Sequence, residues 1–140
     1  MVRHSRVRIT PHFFADEFAQ PSRHALPHIP YPAQWFETRL RPLCDMLETL
    51  RLILDEVPIR IISGYRSKEY NRKIRGAKKS QHVLGLACDI VVPGRDAPYV
   101  HDIALYAHRS GQIQLGGLGR YSNFTHLDIR PGRLRRWSGK

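Results

Sequence analysis

The sequence predicts an α+β domain, with a small and mostly antiparallel sheet and helices packed on one side of it. Three features indicate this class: one strongly amphipathic helical segment, several short strand-like runs, and no regular alternation of strand and helix of the kind that builds a parallel sheet. The chain has 140 residues, which is most economically one domain, 1–140. A domain of this size buries roughly two-thirds of the surface of its unfolded chain, so it needs no disulfide to be stable.

The longest helix is predicted over residues 32–56. Within it, four leucines recur at the spacing of one buried helix face: Leu43, Leu47, Leu50 and Leu54. Pro42 is expected to kink this helix or to divide it into two. Two shorter helices are predicted over 67–74, with Ser67 as N-cap, and over 96–110.

Strands are predicted where β-branched and other apolar residues run together. The segments are 59–62, 84–92 and 124–129. In the last of them, alternation places Phe124, His126 and Asp128 on one face. A turn or a tight approach of two backbones is expected at three glycines, Gly116, Gly117 and Gly119.

Both ends of the chain are expected to lie outside these elements. Prolines break residues 1–31 into an irregular arm, in which a helical turn or two could form and which Phe13, Phe14 and Phe18 are expected to pin to the core. Residues 131–140 are basic and are expected to form a frayed tail.

The chain is strongly basic, with 23 Lys+Arg against 12 Asp+Glu. This charge favours polyanionic partners, among which nucleic acid, an anionic membrane surface and an anionic cell wall all qualify. Because no nucleic-acid motif and no interleaving of basic and aromatic residues is found, a specific nucleic-acid partner is not expected. No segment has the roughly 20 apolar residues of a membrane span. The basic N-terminus lacks the apolar region of a secretory signal, so the protein is expected to be cytoplasmic as encoded, whether phage-derived or later released to the cell wall.

The two cysteines are not arranged as a zinc-binding pair. Neither Cys44 nor Cys88 belongs to a CxxC motif, which argues against a cysteine-rich structural zinc site. Both lie in apolar patterns, which favours free buried thiols, and a disulfide between them stays an open alternative.

A carboxylate stands inside one of the apolar runs. Asp89 is costly to bury there unless it is paired, hydrogen-bonded or bound to a metal. His82 lies seven residues upstream, and His126 lies in the later strand. Two imidazoles and one carboxylate form a typical catalytic zinc site with a fourth position left for water. Alternatively, the histidines are ordinary surface or hydrogen-bonded core residues, and Asp89 pairs with one of the many cations.

Several motifs occur in a set order along the chain. They are Ser63-Gly64-Tyr65-Arg66-Ser67, Tyr70-Asn71, Gly76-Ala77, Ser80-Gln81-His82, Gly85, Ala87-Cys88-Asp89, Gly117-Leu118-Gly119-Arg120-Tyr121 and His126-Leu127-Asp128-Ile129-Arg130. In this order they closely resemble the M15 family of zinc D-Ala-D-Ala carboxypeptidases, above all its M15A-type branch, which has relatives among phage and bacterial endolysins. The resemblance covers about residues 8–131. It implies a hedgehog/D-Ala-D-Ala-peptidase-like fold with a zinc site on the sheet.

The resemblance also implies roles for individual residues. His82, Asp89 and His126 would bind one Zn²⁺. Arg66 would contact the substrate and stabilise the developing oxyanion, for which an always-charged guanidinium is suited, or it would form a structural ion pair instead. Ser80 would either hydrogen-bond the substrate or shape its loop.

The activity implied is hydrolysis of peptide bonds in peptidoglycan stem or cross-link peptides. The protein is expected to be a monomer. The enzyme could be a D-Ala-D-Ala carboxypeptidase or an endopeptidase. The two differ in how the cleft closes around the C-terminus of the substrate, and the sequence does not reveal the shape of the loops that form the cleft.

One position departs from the pattern of this family. Many relatives carry an acidic residue three positions before the last zinc histidine, as the general base, and here that residue is Asn123, which cannot accept a proton. Asp128 is the nearest candidate, either as the base or as a hydrogen-bonding support for His126. Alternatively, Asp128 only forms a structural ion pair with Arg130 or Arg133. Without a base, the chain would be a catalytically inactive, zinc-stabilised module for wall binding or assembly.

Overall fold

The fold is that of a computed structural model, which describes residues 6–140. The α-helices are α1 (Arg41–Ile53), α2 (Lys68–Lys73) and α3 (Ala97–Arg109). The strands are β1 (Arg8–Thr10), β2 (Phe13–Phe14), β3 (Arg60–Ser63), β4 (Ala87–Val91), β5 (Gly117–Arg120), β6 (Thr125–Asp128) and β7 (Arg135–Ser138). None of the helices in this part of the chain is long and apolar enough to cross a membrane.

The main sheet has five strands in the order β3-β4-β6-β5-β7. The first three pairings are antiparallel, and β7 joins β5 in parallel. The predicted α+β class with a mostly antiparallel sheet is therefore confirmed. Leu118 and Leu127, in the middle of the sheet, have no exposed surface and belong to the same hydrophobic core as the leucines of α1.

The long helical segment changes its geometry just before Pro42 but is not divided into two separate helices there. A 3₁₀ turn (Ala33–Trp35) and a π turn (Phe36–Leu40) precede α1, in whose first turn Pro42 lies. Proline is accepted there because the first helical N–H groups have no partner within the helix. All four predicted leucines are buried.

The two shorter helices begin as the sequence indicates. The Ser67 hydroxyl accepts a hydrogen bond from the Tyr70 N–H at the start of α2, and the Asp96 carboxylate accepts one from the Tyr99 N–H at the start of α3. Each side chain thus satisfies one of the free N–H groups of its helix.

The N-terminal arm carries more regular structure than predicted. It contains the β1–β2 hairpin followed by a 3₁₀ turn, Ala15–Phe18. Phe13 and Phe18 are buried, as predicted, whereas Phe14 is only half-buried, with the guanidinium of Arg6 4.0 Å from its ring centre.

The arm also supports the end of β3. The Phe18 carbonyl accepts a hydrogen bond from the Tyr65 N–H at 2.8 Å. A Cβ on Gly64 would lie 2.7 Å from the Phe18 backbone, so only glycine allows the two segments to approach this closely.

The expectation of a frayed tail is wrong for Arg135–Ser138, which form strand β7. This strand pairs with β5, and two further backbone hydrogen bonds extend the pairing at its ends. The Arg135 N–H donates to the Gly116 carbonyl, and the Gly139 N–H donates to the Arg120 carbonyl. The glycines at 117 and 119 lie within β5 and not in a turn, and the predicted tight approach is found at both.

Both cysteines are free and buried, so the disulfide alternative does not hold. Burial raises the pKa of the Cys44 thiol and of the Cys88 thiol well above the ordinary value, which keeps both protonated near neutral pH.

Candidate metal centre

The side chains of His82, Asp89 and His126 meet on one face of the sheet. Each offers one ligand atom, and these three atoms lie within 4.8 Å of one another. Asp89 and His126 are directly opposite each other on β4 and β6. His82 comes from the turns that precede β4. All three side chains are buried, so the charge of Asp89 is compensated locally rather than by solvent.

The ring of His82 is held by a backbone carbonyl. Its Nδ1 lies 2.8 Å from the Gly64 oxygen, and because a carbonyl only accepts hydrogen bonds, Nδ1 carries the hydrogen. The lone pair is then on Nε2, which lies 3.3 Å from Asp89 Oδ1. Burial lowers the pKa of His82, which favours the neutral form that binds metals.

The ring of His126 lies between two carboxylates. Its Nδ1 is 3.0 Å from Asp89 Oδ1, and its Nε2 is 2.8 Å from Asp128 Oδ2. Burial alone would lower the pKa of His126, but hydrogen bonds to Asp128 and Asp89 raise it above the ordinary value. With Nε2 donating to Asp128, Nδ1 is the nitrogen that faces the other two side chains.

Asp89 connects the two histidines with Arg66. Its Oδ1 faces both imidazoles, and its Oδ2 accepts a hydrogen bond from Arg66 Nη2 at 3.3 Å. Burial by itself would raise the pKa of Asp89, but its contacts with the imidazoles of His126 and His82 lower it well below the ordinary value. The carboxylate is therefore ionised, as a metal ligand must be.

These donors fit a metal ion such as zinc. The set has two imidazole nitrogens and one carboxylate oxygen, the composition of a three-ligand site that leaves a position open. In each histidine the second nitrogen is already hydrogen-bonded, to Gly64 or to Asp128, which fixes the ring orientation as in known metal sites.

Arg66 is fixed by three side chains around the site. Its Nε donates to the Ser63 hydroxyl, its Nη1 to Asn71 Oδ1 and its Nη2 to Asp89, at 3.2 to 3.3 Å. It lines the same cleft as His82 and His126. Burial lowers the pKa of Arg66, which nevertheless stays charged because a guanidinium is a very strong base.

Asn71 is a positioning residue whose role the sequence did not reveal. Besides accepting from Arg66, its side-chain Nδ2 donates to the Ala77 carbonyl at 2.9 Å. A Cβ on Gly76 would overlap the Asn71 amide. The Tyr70-Asn71 and Gly76-Ala77 motifs thus belong to one unit that holds Arg66 at the cleft.

Ser80 shapes the loop that carries His82. Its hydroxyl accepts a hydrogen bond from the His82 N–H at 3.2 Å. The same loop is also held by the Arg66 N–H, which donates a hydrogen bond to the His82 carbonyl at 3.2 Å. Of the two roles left open for Ser80, these contacts favour the structural one, although the residue also lines the cleft.

Asp128 is fully buried and is held by Arg130. Arg130 Nε donates to Oδ1 at 2.8 Å and Nη2 to Oδ2 at 2.6 Å, a forked pair. Burial alone would raise the pKa of Asp128, but the hydrogen bonds from Arg130 and His126 lower it to about 2. Gly117 lies opposite, where a Cβ would overlap the carboxylate.

The cleft at the candidate centre is lined by two kinds of side chain besides the candidate ligands. The cationic ones are Arg66, Arg75, Lys79 and Arg130, and the aromatic ones are Tyr121, Phe124 and Trp137, with the Arg130 guanidinium 5.5 Å from the ring centre of Trp137. The sequence did not indicate Trp137, because it lies in the segment expected to fray.

Asn123 does not belong to this cleft. It is exposed and lines a small separate cavity together with Thr125 and Val100. The position that departs from the family pattern is therefore not among the residues that line the cleft of the candidate centre.

The fold and this donor set define a candidate metal-dependent hydrolase, and comparison with known proteins identifies the family. The family model described as Peptidase M15 matches residues 11–128. The chain belongs to the M15 family of metallopeptidases, which confirms the resemblance of its motifs.

Curated relatives share this similarity over part of their length. The peptidoglycan L,D-endopeptidase MepK of Escherichia coli (strain K12) is 36% identical over 99 residues, which cover 65% of this chain and 51% of the relative. The proteins of the same name from Escherichia coli O157:H7 and from Shigella flexneri give the same values. The chain thus spans about half the length of the curated relatives it matches.

Proposed function

We propose that this protein is a zinc-dependent peptidase that hydrolyses peptide bonds in peptidoglycan stem or cross-link peptides. The observation that carries the proposal is the convergence of His82 Nε2, Asp89 Oδ1 and His126 Nδ1 at one buried point beside a cationic cleft. Of the two bond types open from the sequence, the endopeptidase is favoured, because the curated relatives are named as endopeptidases.

The three side chains would hold the ion through these atoms. A zinc ion bound there lowers the pKa of water and polarises a substrate carbonyl, which together make amide hydrolysis possible near neutral pH. The residues of the chain supply orientation, because the second nitrogen of each histidine is tied to Gly64 or to Asp128. Little reorganisation is then needed when the substrate enters.

Arg66 would stabilise the negative charge that develops on the carbonyl oxygen during attack. Its guanidinium lines the cleft and is prevented from swinging away by Ser63, Asn71 and Asp89. A donor that is fixed in advance is worth more than a mobile one, because it does not lose conformational freedom at the moment of reaction.

Asp128 would support His126 and not act as the general base. Both of its oxygens accept hydrogen bonds from Arg130, and Oδ2 also faces His126 Nε2. Its side chain has no exposed surface, so it does not reach a substrate in the cleft. Its role is that of the carboxylate in a carboxylate–histidine–metal arrangement.

The charge of the cleft suits an anionic peptide. Arg75 and Lys79 line it, are exposed, and form no ion pair among the residues that the structure describes. Together with the excess of 23 Lys+Arg over 12 Asp+Glu, they favour a substrate with carboxylate groups in an anionic wall.

The inactive wall-binding or assembly module remains the second candidate, since it was motivated by Asn123. Its support is that neither Asn123, which lines another cavity, nor Asp128, which is enclosed by Arg130 and His126, is placed to act as the general base.

The two candidates are separated by mass spectrometry of cross-linked muropeptides after incubation with the zinc-loaded protein. His82→Ala serves as the inactive variant and His28→Ala, at an exposed histidine outside the site, as its matched control. We expect cleavage by the unaltered protein and by His28→Ala, and the masses of the products identify the bond. Zinc binding without any product from the unaltered protein would favour the module.

A further inference from the structure

The C-terminal strand β7 lies beyond the family match, yet it completes the candidate site. The match ends at residue 128, and β7 comprises Arg135–Ser138. Its Trp137 lines the same cleft as His82, Asp89 and His126.

Strand register explains how a residue of the edge strand reaches the centre. Asp89, His126, Gly119 and Trp137 stand opposite one another in one row across β4, β6, β5 and β7. Residues in such a row point to the same face of a sheet. Gly119 lies between His126 and Trp137, and because it has no side chain the indole can cross β5.

The contact is close. The ring centres of His126 and Trp137 are 5.0 Å apart, and a Cβ on Gly119 would lie 2.6 Å from Trp137 Nε1. The indole N–H donates to the Tyr121 hydroxyl at 2.8 Å, and the Tyr121 ring stacks on Phe124 with centres 4.3 Å apart. The N–H of Trp137 is therefore already used, and the Arg130 guanidinium lies 5.5 Å from its ring centre. The side chain is half-buried, so the part of the ring that lines the cleft is what a ligand would contact.

We propose that Trp137, whose indole is held in place by Tyr121, contacts the substrate in the cleft and is a determinant of specificity. It would hold the apolar part of the substrate peptide against its ring, while Arg75 and Lys79, which line the same cleft, would attract the carboxylates of that peptide. The inference rests on the proposed peptidase function and adds a substrate class to it: a peptide that combines an apolar part with a carboxylate group.

Kinetics on a purified cross-linked muropeptide tests this role. Loss of an aromatic contact of this kind predicts that Trp137→Ala raises KM about three- to tenfold, with Trp137→Phe in between. The zinc affinity of Trp137→Ala should stay close to that of the unaltered protein, since Asp89 and Asp128 already orient His126. Arg136→Ala, an exposed neighbour on the same strand, is the matched control and should behave as the unaltered protein does.

A binding measurement separates this inference from the proposed activity. The chain has two tryptophans, so Trp35→Phe leaves the fluorescence of Trp137 alone. We expect a saturable change in that fluorescence when the muropeptide is added to the zinc-loaded variant. If the peptide changes the fluorescence but no product forms, the proposed peptidase function is wrong, whereas the proposed contact between Trp137 and the peptide is supported. An unchanged KM in Trp137→Ala with no fluorescence response, or a loss of zinc affinity at constant KM, would overturn the proposal.

Discussion

His126 Nε2 lies 2.8 Å from Asp128 Oδ2, and this contact determines which nitrogen of His126 faces the candidate metal position. Arg130 holds the same carboxylate with two hydrogen bonds. The order Arg130, Asp128, His126 therefore extends from the edge of the cleft to the centre, and each member fixes the next one.

Zinc affinity distinguishes the two possible roles of Asp128, support of His126 and action as a general base. If it supports His126, Asp128→Asn should weaken zinc affinity by about 10- to 100-fold, because the charge that polarises the imidazole is lost. Competition with a chromophoric chelator measures this affinity. The matched control is Asp102→Asn, whose carboxylate pairs with His101 and does not line the cleft, and it should leave zinc binding unchanged. Unaltered zinc affinity with turnover abolished would identify Asp128 as a base instead.

Arg66 should contribute to turnover and not to metal binding. Arg66→Lys keeps the charge but loses the three-point attachment to Ser63, Asn71 and Asp89, so we expect kcat to fall about 10²- to 10³-fold, as for loss of an oxyanion donor. Zinc content, measured by elemental mass spectrometry, should be retained. Arg60→Lys, exposed on β3, is the control. A lower melting temperature with normal turnover per bound zinc would show that Arg66 only forms a structural ion pair.

Gly119 should be intolerant of a side chain because of Trp137. Gly119→Ala places a Cβ 2.6 Å from the indole nitrogen, which must move away from His126 and Tyr121. We expect the near-ultraviolet circular dichroism of the tryptophan to change while the far-ultraviolet spectrum stays native. Spectra identical to those of the unaltered protein would mean that the indole is not packed over Gly119.

The two thiols should be unreactive in the folded protein. Because Cys44 and Cys88 are buried and burial raises the pKa of each, Ellman's reagent should detect no thiol in the native state and both thiols in denaturant without reductant. Detection of none in denaturant would mean that a disulfide has formed.

The candidate centre was largely predictable because its residues conflict with their surroundings. Asp89 is a carboxylate in an apolar strand, and His126 and Asp128 alternate on one strand face, so local sequence already indicates a shared function. The support of His126 by Asp128 was one of the alternatives that the sequence offered. The orientation of His82 was not predictable, since it depends on the Gly64 carbonyl, which lies 18 residues away along the chain.

The aromatic side of the cleft could not be predicted for a different reason. Residues 131–140 are basic and contain a single tryptophan, a composition typical of a frayed end. Their pairing with β5 depends on the backbone of Gly116 and on space over Gly119, which are tertiary features. The hairpin of the N-terminal arm was missed likewise, because its two strands are only three and two residues long.

Metal removal and restoration, followed by mass spectrometry of cross-linked muropeptides, tests most directly whether this site hydrolyses peptide bonds. The protein is stripped with a chelator, and zinc is then returned to the unaltered chain and to Asp89→Ala. We predict no cleavage by the stripped protein, restored cleavage in the unaltered chain and none in Asp89→Ala. Equal cleavage by the stripped protein, or by zinc-treated Asp89→Ala, would contradict a metal-dependent peptidase centred on His82, Asp89 and His126.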